Sequence, residues 1–350
     1  MKIFVTGGAG FIGSNFIRLV LGPGEKHSVV NYDKLTYAGN LANLESVAKD
    51  PRYRFVKGDI CDAHAVEAAM TGCDAIVHFA AESHVDRSIY EPAAAIETNV
   101  TGTFVLLQIA KKLALPKFVH VSTDEVYGDM APDRFSDEKT PIHPSSPYSA
   151  SKASSDLLVY SYVRTYNFPG VITRASNNYG PYQFPEKFLP LLISNLIDDK
   201  PLPIYGDGKQ QRDWLHVEDH CRGILAVLER GRIGEVYNIG GADIVENITM
   251  AKALLKAMGK PETLLTYVKD RPGHDRRYAL DCKKIETELG WKPQIPLEQG
   301  LRQTIDWYKT NTVWIAGVRG GDYLSYYDKY YENRDTSLDA LAQPEAKATR

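Results

Sequence analysis

Thr6-Gly7-Gly8-Ala9-Gly10-Phe11-Ile12-Gly13 lies between a β-branched run at residues 3–6 and a helical pattern, and that placement decides the fold. Glycines at Gly7, Gly10 and Gly13 let the backbone approach a pyrophosphate, and a helix opening there offers free N–H groups and a partial positive charge. A GxxGxxG turn alone is a weak signal. After a first strand, with an acid at the end of the second, it becomes a dinucleotide fingerprint. That acid is Asp33, followed by Lys34, Leu35 and Thr36. A carboxylate there accepts from both ribose hydroxyls and repels a 2′-phosphate, so NAD is expected rather than NADP. The adjacent Lys34 is the one feature that argues for tolerating the phosphate.

Working outward, short β-branched runs at 28–32, 54–57, 75–78, 117–122 and 170–174 alternate with amphipathic stretches, notably 93–112 and 148–165. The alternation predicts a doubly wound α/β (Rossmann) fold, a parallel sheet with helices on both faces. Right-handed crossovers then gather the glycine turn and the strand ends on one edge, where ligands bind. Asp59 and Ile60 at the end of the third strand are placed to meet the adenine. Phe79-Ala80-Ala81 after the fourth offers small residues where the cofactor's backbone passes.

After Asn177 the texture changes, with Pro181, Pro185, Pro190, Pro201 and Pro203 too dense for regular βα repeats. Helical patterns follow at 217–229, 249–258 and 297–310. We expect an NAD-binding domain over 1–176 and a smaller, mostly C-terminal α/β substrate lobe over 177–331 that exchanges segments with the first. A polar tail is expected over 332–350.

Hydrophobic residues at 43%, charged residues at 24% and a net charge of −3 suit a soluble globular protein without a broad nucleic-acid or membrane footprint. Met1-Lys2-Ile3-Phe4-Val5 runs straight into the glycine turn, so no secretory leader is expected. No apolar run reaches the roughly 18 residues of a bilayer span. Cys61, Cys73, Cys221 and Cys282 lack CxxC spacing and read as reduced thiols, so a cytoplasmic location is expected. The histidines form no HxH or HExxH group, and no catalytic metal is expected.

Tyr148 and Lys152 are four apart in a helical pattern and share one face. A phenol near pKa ~10 needs about 4 kcal/mol of help to act as a base at pH ~7. A cation ~4 Å away at an effective dielectric of ~20 supplies about that much, so Lys152, assisted by the positive charge of the oxidised nicotinamide, suffices in magnitude. Thr123 can hold the same substrate hydroxyl.

Thr123-Asp124-Glu125 closes the fifth strand ahead of that pair. Oxidising an alcohol needs no adjacent acid and base, but removing water from a sugar does. A ketone at C4 acidifies the C5 hydrogen; a base takes that proton while an acid helps the C6 hydroxyl leave, and the hydride returns to C6. Each such group is typically worth ~10²–10⁴-fold. Neighbouring carboxylates push one pKa up, which suits Asp124 as the protonated donor. Substrate phosphates need cations, and Arg212 and the Arg271–Arg277 cluster, with His274, are the candidates.

Thr6–Gly13, Asp33, Asp59, Tyr148-x-x-x-Lys152 and Asn177-Asn178-Tyr179-Gly180-Pro181 together resemble the extended short-chain dehydrogenase/reductase family, from Met1 to about Tyr331. Ser83-His84-Val85-Asp86-Arg87-Ser88, the stretch from Asp33 to Asn40, Thr123-Asp124-Glu125 and Arg271–Arg277 resemble its nucleotide-sugar 4,6-dehydratase branch. The resemblance implies a lyase that oxidises C4 of dTDP-glucose with NAD, eliminates water across C5 and C6, and returns the hydride to C6. It makes Asp124 the acid, Glu125 the C5 base and Tyr148 the C4 base. Ser83 would hold the sugar, Thr98 would face the nicotinamide ribose, and Asn178 would contact the cofactor. Asn177 and Asn238 would contact the diphosphate sugar, and Lys187, Phe188, Pro203 and Tyr205 the nucleoside, with His84 bordering the sugar. A homodimer is implied, because relatives pair the helices at 93–112 and 148–165. A nucleotide-sugar 4-epimerase is the alternative; it would leave Asp124 and Glu125 idle. The residues leave thymidine and uridine nucleotides both open.

Overall fold

The computed structural model describes residues 1–320 together with Tyr327 and Leu338. The boundary expected at 331 and the tail at 332–350, Leu338 apart, lie outside the described residues. In chain order the strands are β1 (Lys2–Thr6), β2 (Ser28–Asp33), β3 (Tyr53–Lys57), β4 (Ala75–His78), β5 (Phe118–Thr123), β6 (Gly170–Ala175), β7 (Asn177–Tyr179), β8 (Leu202–Tyr205), β9 (Gln211–His216), β10 (Val236–Ile239), β11 (Ile244–Glu246) and β12 (Leu265–Val268). Seven form one sheet in the order β10-β6-β5-β4-β1-β2-β3, parallel throughout. The six strands expected from the sequence all form. The seventh, β10, has no counterpart among them and comes from beyond the proline-dense stretch.

Alternation along the strands splits the core between the two faces. Ile3, Val5 and Val29 face helices Phe11–Val20 and Val217–Arg230, while Phe4, Val30 and Tyr32 face helices Ala63–Met70, Thr103–Lys112 and Pro147–Tyr166. Each fully buried side chain of this size contributes about 1.5–3 kcal/mol. A third cluster, with Leu192, Ile204, Trp214, Leu254 and Tyr308, fills the region built on β8, β9 and the later helices.

β1 is flanked by β2 on one side and β4 on the other, so strand order reverses there and opens a crevice at their C-terminal ends. Two helices shape that crevice. Pro147–Tyr166 starts with Pro147 at its first turn and a reciprocal cap between Ser146 and Ser149. The stretch Pro92–Lys112 departs from the regular helix expected. Its turns Ile96–Gly102 are π-helical, a widening often found at functional sites. Within that widening Asn99 accepts from Glu82 N at 2.8 Å and donates to Glu82 O at 3.0 Å and Ser151 Oγ at 2.8 Å. By length and composition this stretch is apolar enough to cross a bilayer, yet Leu106, Leu107, Ile109 and Ala110 are packed into the core.

Candidate active site

The crevice begins at the glycine turn. Gly7 has φ +69°, and a Cβ there would stand 2.6 Å from Ala80 N; one at Gly13 would stand 2.4 Å from Gly7 O. Those two positions require glycine because backbone approaches backbone. The cradle continues into helix Phe11–Val20, whose N-cap Gly10 has no side-chain cap, so the first N–H groups are open to a ligand. At the end of β2, Asp33 accepts from Ala9 N at 2.9 Å and Leu35 N at 2.8 Å. Burial raises its pKa against those two bonds. Leu35, in the left-handed region at φ 57°, lies outside the cleft lining and serves through its N–H. Lys34 Nζ pairs with Asp59 Oδ2 at 2.6 Å, so the cation that might take a 2′-phosphate faces a carboxylate. A glycine cradle, an open helix start and a carboxylate on the neighbouring strand fit a dinucleotide with free ribose hydroxyls.

The same cleft is lined by Gly10, Phe11, Ile12, Thr36, Ile60, Phe79, Ala80, Ala81, Ser83 and Thr98 at its cofactor side. Thr123, Asp124, Glu125, Tyr148 and Lys152 line its other wall with Asn177, Asn178, Lys187 and Phe188. Thr123 ends β5 and caps the turn Asp124–Tyr127, accepting from Glu125 N at 3.3 Å and donating to Asp124 Oδ1 at 3.2 Å. Asp124 is 3% exposed. Burial, and then the Glu125 charge, push its carboxyl well above the usual range. Its Oδ2 is buried without a hydrogen-bond partner among the described residues, as is Asn177 Oδ1. Glu125 is also raised by burial, but Arg271, Lys187 and Arg212 pull it back down.

Lys152 Nζ donates to Val121 O at 2.8 Å; burial brings its pKa down to about 8, with Asp156 opposing. The charge balance around Tyr148 also involves two carboxylates. Burial raises its phenol, then Glu125 and Asp124 raise it further, and Thr123 acts to lower it. Two carboxylates crowd the phenol, and the Lys152 ammonium is committed to a carbonyl. These neighbours favour the protonated phenol.

Lys187 and Phe188 apart, the nucleotide-side residues lie outside the cleft lining. Arg212 donates to Asp275 O at 2.9 Å and Gln211 O at 2.8 Å, with its guanidinium 4.3 Å from the Tyr278 ring centroid. Arg271 pairs with Asp86 at 3.1 Å, and Tyr205 donates to the same carboxylate at 2.7 Å. His274 bonds Asp270 at 2.6 Å, and His84 caps helix Val85–Tyr90 by accepting from Arg87 N at 3.4 Å. Pro203 is buried in the β8–β12 pair. Asn238 is a correction. Its amide is fully buried, donating to Ser136 O at 2.9 Å and Asp281 O at 3.2 Å and accepting from Tyr127 Oη at 2.8 Å. A side chain with its polar atoms so engaged is a structural tie and not a phosphate ligand.

Sequence reasoning missed Glu186, Gln183 and His220, which also line the cleft. Glu186 accepts from Tyr37 Oη at 2.9 Å and Arg87 Nε at 3.2 Å, and His220 Nδ1 bonds Asn178 Oδ1 at 2.8 Å. Pro185-Glu186-Lys187 carried no local signal for the acid. Asn178-Tyr179-Gly180-Pro181 marked one half of the second pair without its partner.

Residues 4–304 match the family model described as GDP-mannose 4,6 dehydratase. The dTDP-glucose 4,6-dehydratase of Shigella flexneri is 51% identical over 361 residues, covering 95% of this chain and 100% of the relative. Among solved structures, the dTDP-glucose 4,6-dehydratase of Streptomyces venezuelae, with NAD bound, is 51% identical at TM-score 0.89, over 91% of this chain and 100% of that one. The UDP-glucuronic acid 4-epimerase of Bacillus cereus is 33% identical at TM-score 0.84, over 89% and 99%. With the glycine cradle, the Tyr148–Lys152 pair and the Asp124–Glu125 step all in one cleft, the chain belongs to the dTDP-glucose 4,6-dehydratase family of extended short-chain dehydrogenases/reductases.

Proposed function

We propose that this protein is an NAD-dependent lyase that converts dTDP-glucose to dTDP-4-keto-6-deoxyglucose and water. The observation that carries the reading is the unequal treatment of two adjacent carboxylates beside Tyr148. Asp124, buried and crowded by Glu125, is pushed well above the usual carboxylate range; Glu125 is raised by burial too, but Arg271, Lys187 and Arg212 act against that rise, which suits it as the base. NAD, held by the Gly7–Gly13 turn and Asp33, would supply reversible hydride chemistry, with the C4 hydride removed and later returned at C6. Tyr148 receives the O4 proton, with Thr123 holding the same hydroxyl. Glu125 takes the C5 proton and Asp124 protonates the departing C6 oxygen. Lys152 keeps a positive charge near the phenol.

Lys187, Arg212 and Arg271 are the cations offered to the substrate diphosphate, supported by their joint influence on Glu125. In that assignment Arg271 exchanges Asp86 for phosphate. Ser83 and Asn177 hold the sugar, and Asn178 and Thr98 the cofactor. Residues 1–176 with β10 serve as the cofactor domain, and most of 177–331 as the substrate lobe. A homodimer is supported by the exposed Ile96, Phe104, Leu157 and Tyr160 on two helices that pack together. A cytoplasmic site of action agrees with a soluble sugar nucleotide as substrate.

Incubation with dTDP-glucose, followed by alkali to develop the 4-keto absorbance, tests the activity. A 4-epimer without keto product would replace this reading with the epimerase. Equal concentrations of dTDP-glucose and UDP-glucose in competition test the base preference.

A further inference from the structure

Gln183 and His220 line the cleft without a duty in the reaction derived above, and both grip Asn178. Gln183 Nε2 donates to Asn178 O at 2.9 Å, and Asn178 Nδ2 donates to Ser176 O at 2.9 Å. The second bond sets the orientation of the Asn178 amide. Its Oδ1 must then accept, and His220 Nδ1 donates to it at 2.8 Å. His220 is 1% exposed, and burial brings its pKa down to about 3, so the ring is neutral with its proton on Nδ1. Asn178 is thus held at its backbone carbonyl and at both ends of its amide. Its Nδ2 carries a second N–H that has no acceptor among the described residues.

Gln183 has the complementary orphan. It is 8% exposed, and its backbone carbonyl accepts from the Tyr308 hydroxyl. Its Oε1 is buried with no hydrogen-bond partner among the described residues. A buried amide oxygen left so is costly unless a ligand donor meets it.

The place of these groups names the donor. Asp33 and Asp59, at the ends of β2 and β3, put the adenosine half of a dinucleotide on one side of β1. The nicotinamide half then lies on the other side, over β4, β5 and β6, where Tyr148 and Lys152 line the cleft. Asn178 follows β6 on that side. Asn15 Nδ2 donates to Pro181 O at 3.1 Å and Cys221 Sγ lies 3.7 Å from Ile12 O. The segments carrying Gln183 and His220 are therefore both seated on helix Phe11–Val20. A primary carboxamide offers an oxygen to the Asn178 N–H and an N–H to Gln183 Oε1, which matches the two orphans; the ribose hydroxyls are the rival donors.

On the dehydratase reading, on which this rests, we propose that Gln183 and Asn178 clamp the carboxamide of the nicotinamide. Gln183 Oε1 accepts from its N–H, the Asn178 N–H bonds its oxygen, and His220 is the positioning residue that keeps the Asn178 amide turned that way. Holding a carboxamide at both ends stops the ring from turning. The same face is then presented for removal of the C4 hydride and for its return at C6.

The test is equilibrium exchange on the holoenzyme. Bound NAD is exchanged against acetylpyridine adenine dinucleotide, which keeps the carbonyl and both riboses but has a methyl for the amino group. Nucleotides retained after rapid gel filtration are counted by chromatography, which gives the ratio of the two dissociation constants. Gln183→Met should lower the wild-type preference for NAD by about 10-fold. Gln183→Ala is read in the same way if that variant does not fold. An unchanged ratio, with both dinucleotides weakened together, gives Gln183 to a ribose hydroxyl or to packing and overturns the clamp. His220→Phe should leave that ratio as it is, but shift exchange of NAD against ADP-ribose, which lacks the ring, about 10-fold towards ADP-ribose. His220→Asn, which puts an amide N–H near the place of Nδ1, should restore it. A His220→Phe protein that matches the wild type in this second exchange overturns the positioning role. None of these exchanges depends on turnover, so absence of keto product from the wild type overturns the dehydratase reading alone.

Discussion

Asp124 and Glu125 differ by one methylene, and the environment assigns their protonation states. Arg271, Lys187 and Arg212 act on Glu125, whereas Asp124 has Glu125 and Asp213 raising it against Arg212. Glu125→Gln removes the base but preserves the shape and the Asp124 donor. We expect it to reduce bound NAD on adding substrate while losing at least ~10²-fold in keto product, with no C5 deuterium uptake from heavy water. Full C5 exchange in that variant would take the role from Glu125. Lys152 supplies a pH prediction. Its pKa is brought down to about 8 by burial, with Asp156 raising it, so it is charged at neutral pH and discharges as pH climbs through 8. kcat/KM should therefore fall on an alkaline limb near pH 8. Asp156→Asn removes the charge that holds Lys152 up, and the limb should move to lower pH. That variant also strands Arg174, paired to Asp156 at 2.8 Å, so a loss of about 3–5 kcal/mol in stability is expected in a denaturant titration.

Between elements, the tie across the cofactor cleft is Glu186. Its carboxylate takes Tyr37 from the loop after β2 and Arg87 from helix Val85–Tyr90, and Arg87 lies 3.8 Å from the Tyr37 ring centroid. Thr36 and Gly39 line the cleft beside one end of this tie and Glu186 lines it at the other. A hydrogen bond to a charged group is worth about 1.5–3 kcal/mol, so Tyr37→Phe should speed NAD release by roughly 10-fold or more. Stopped-flow displacement of the holoenzyme's cofactor measures it, and an unchanged rate would make the tie incidental to retention. The strands and the glycine turn were legible because their signals are local: period-two burial, and glycines forced by close backbone approach. Tyr37 and Glu186 are 149 residues apart, and no spacing rule joins them. Asn238 shows the opposite error. It carries a family motif, but Ser136 and Asp281, which occupy its amide, come from distant segments. Spacing joined Tyr148 to Lys152 in one cleft, but it could not show that Glu125 and Asp124 also act on the phenol.

At the scale of the molecule, helix Pro147–Tyr166 has two duties. Tyr148 and Lys152 point into the cleft, while Leu157 and Tyr160, three apart on the outer side, are 56% and 51% exposed. The neighbouring stretch Pro92–Lys112 bares Ile96 and Phe104 while its other face packs into the core. Large apolar side chains clustered on adjoining helices mark an interaction face, and a two-fold dimer would bury the same face on both copies. Sedimentation equilibrium should give twice the 39.0 kDa chain mass. Leu157→Lys with Tyr160→Lys places like charges against their own symmetry mates and should give the single-chain mass. Because the outer face braces the helix that carries Tyr148, that double variant should also lose kcat, with KM for dTDP-glucose much less affected. A wild type that sediments at 39.0 kDa would end this account of the exposed face. A charged double variant that stays dimeric would place the interface elsewhere.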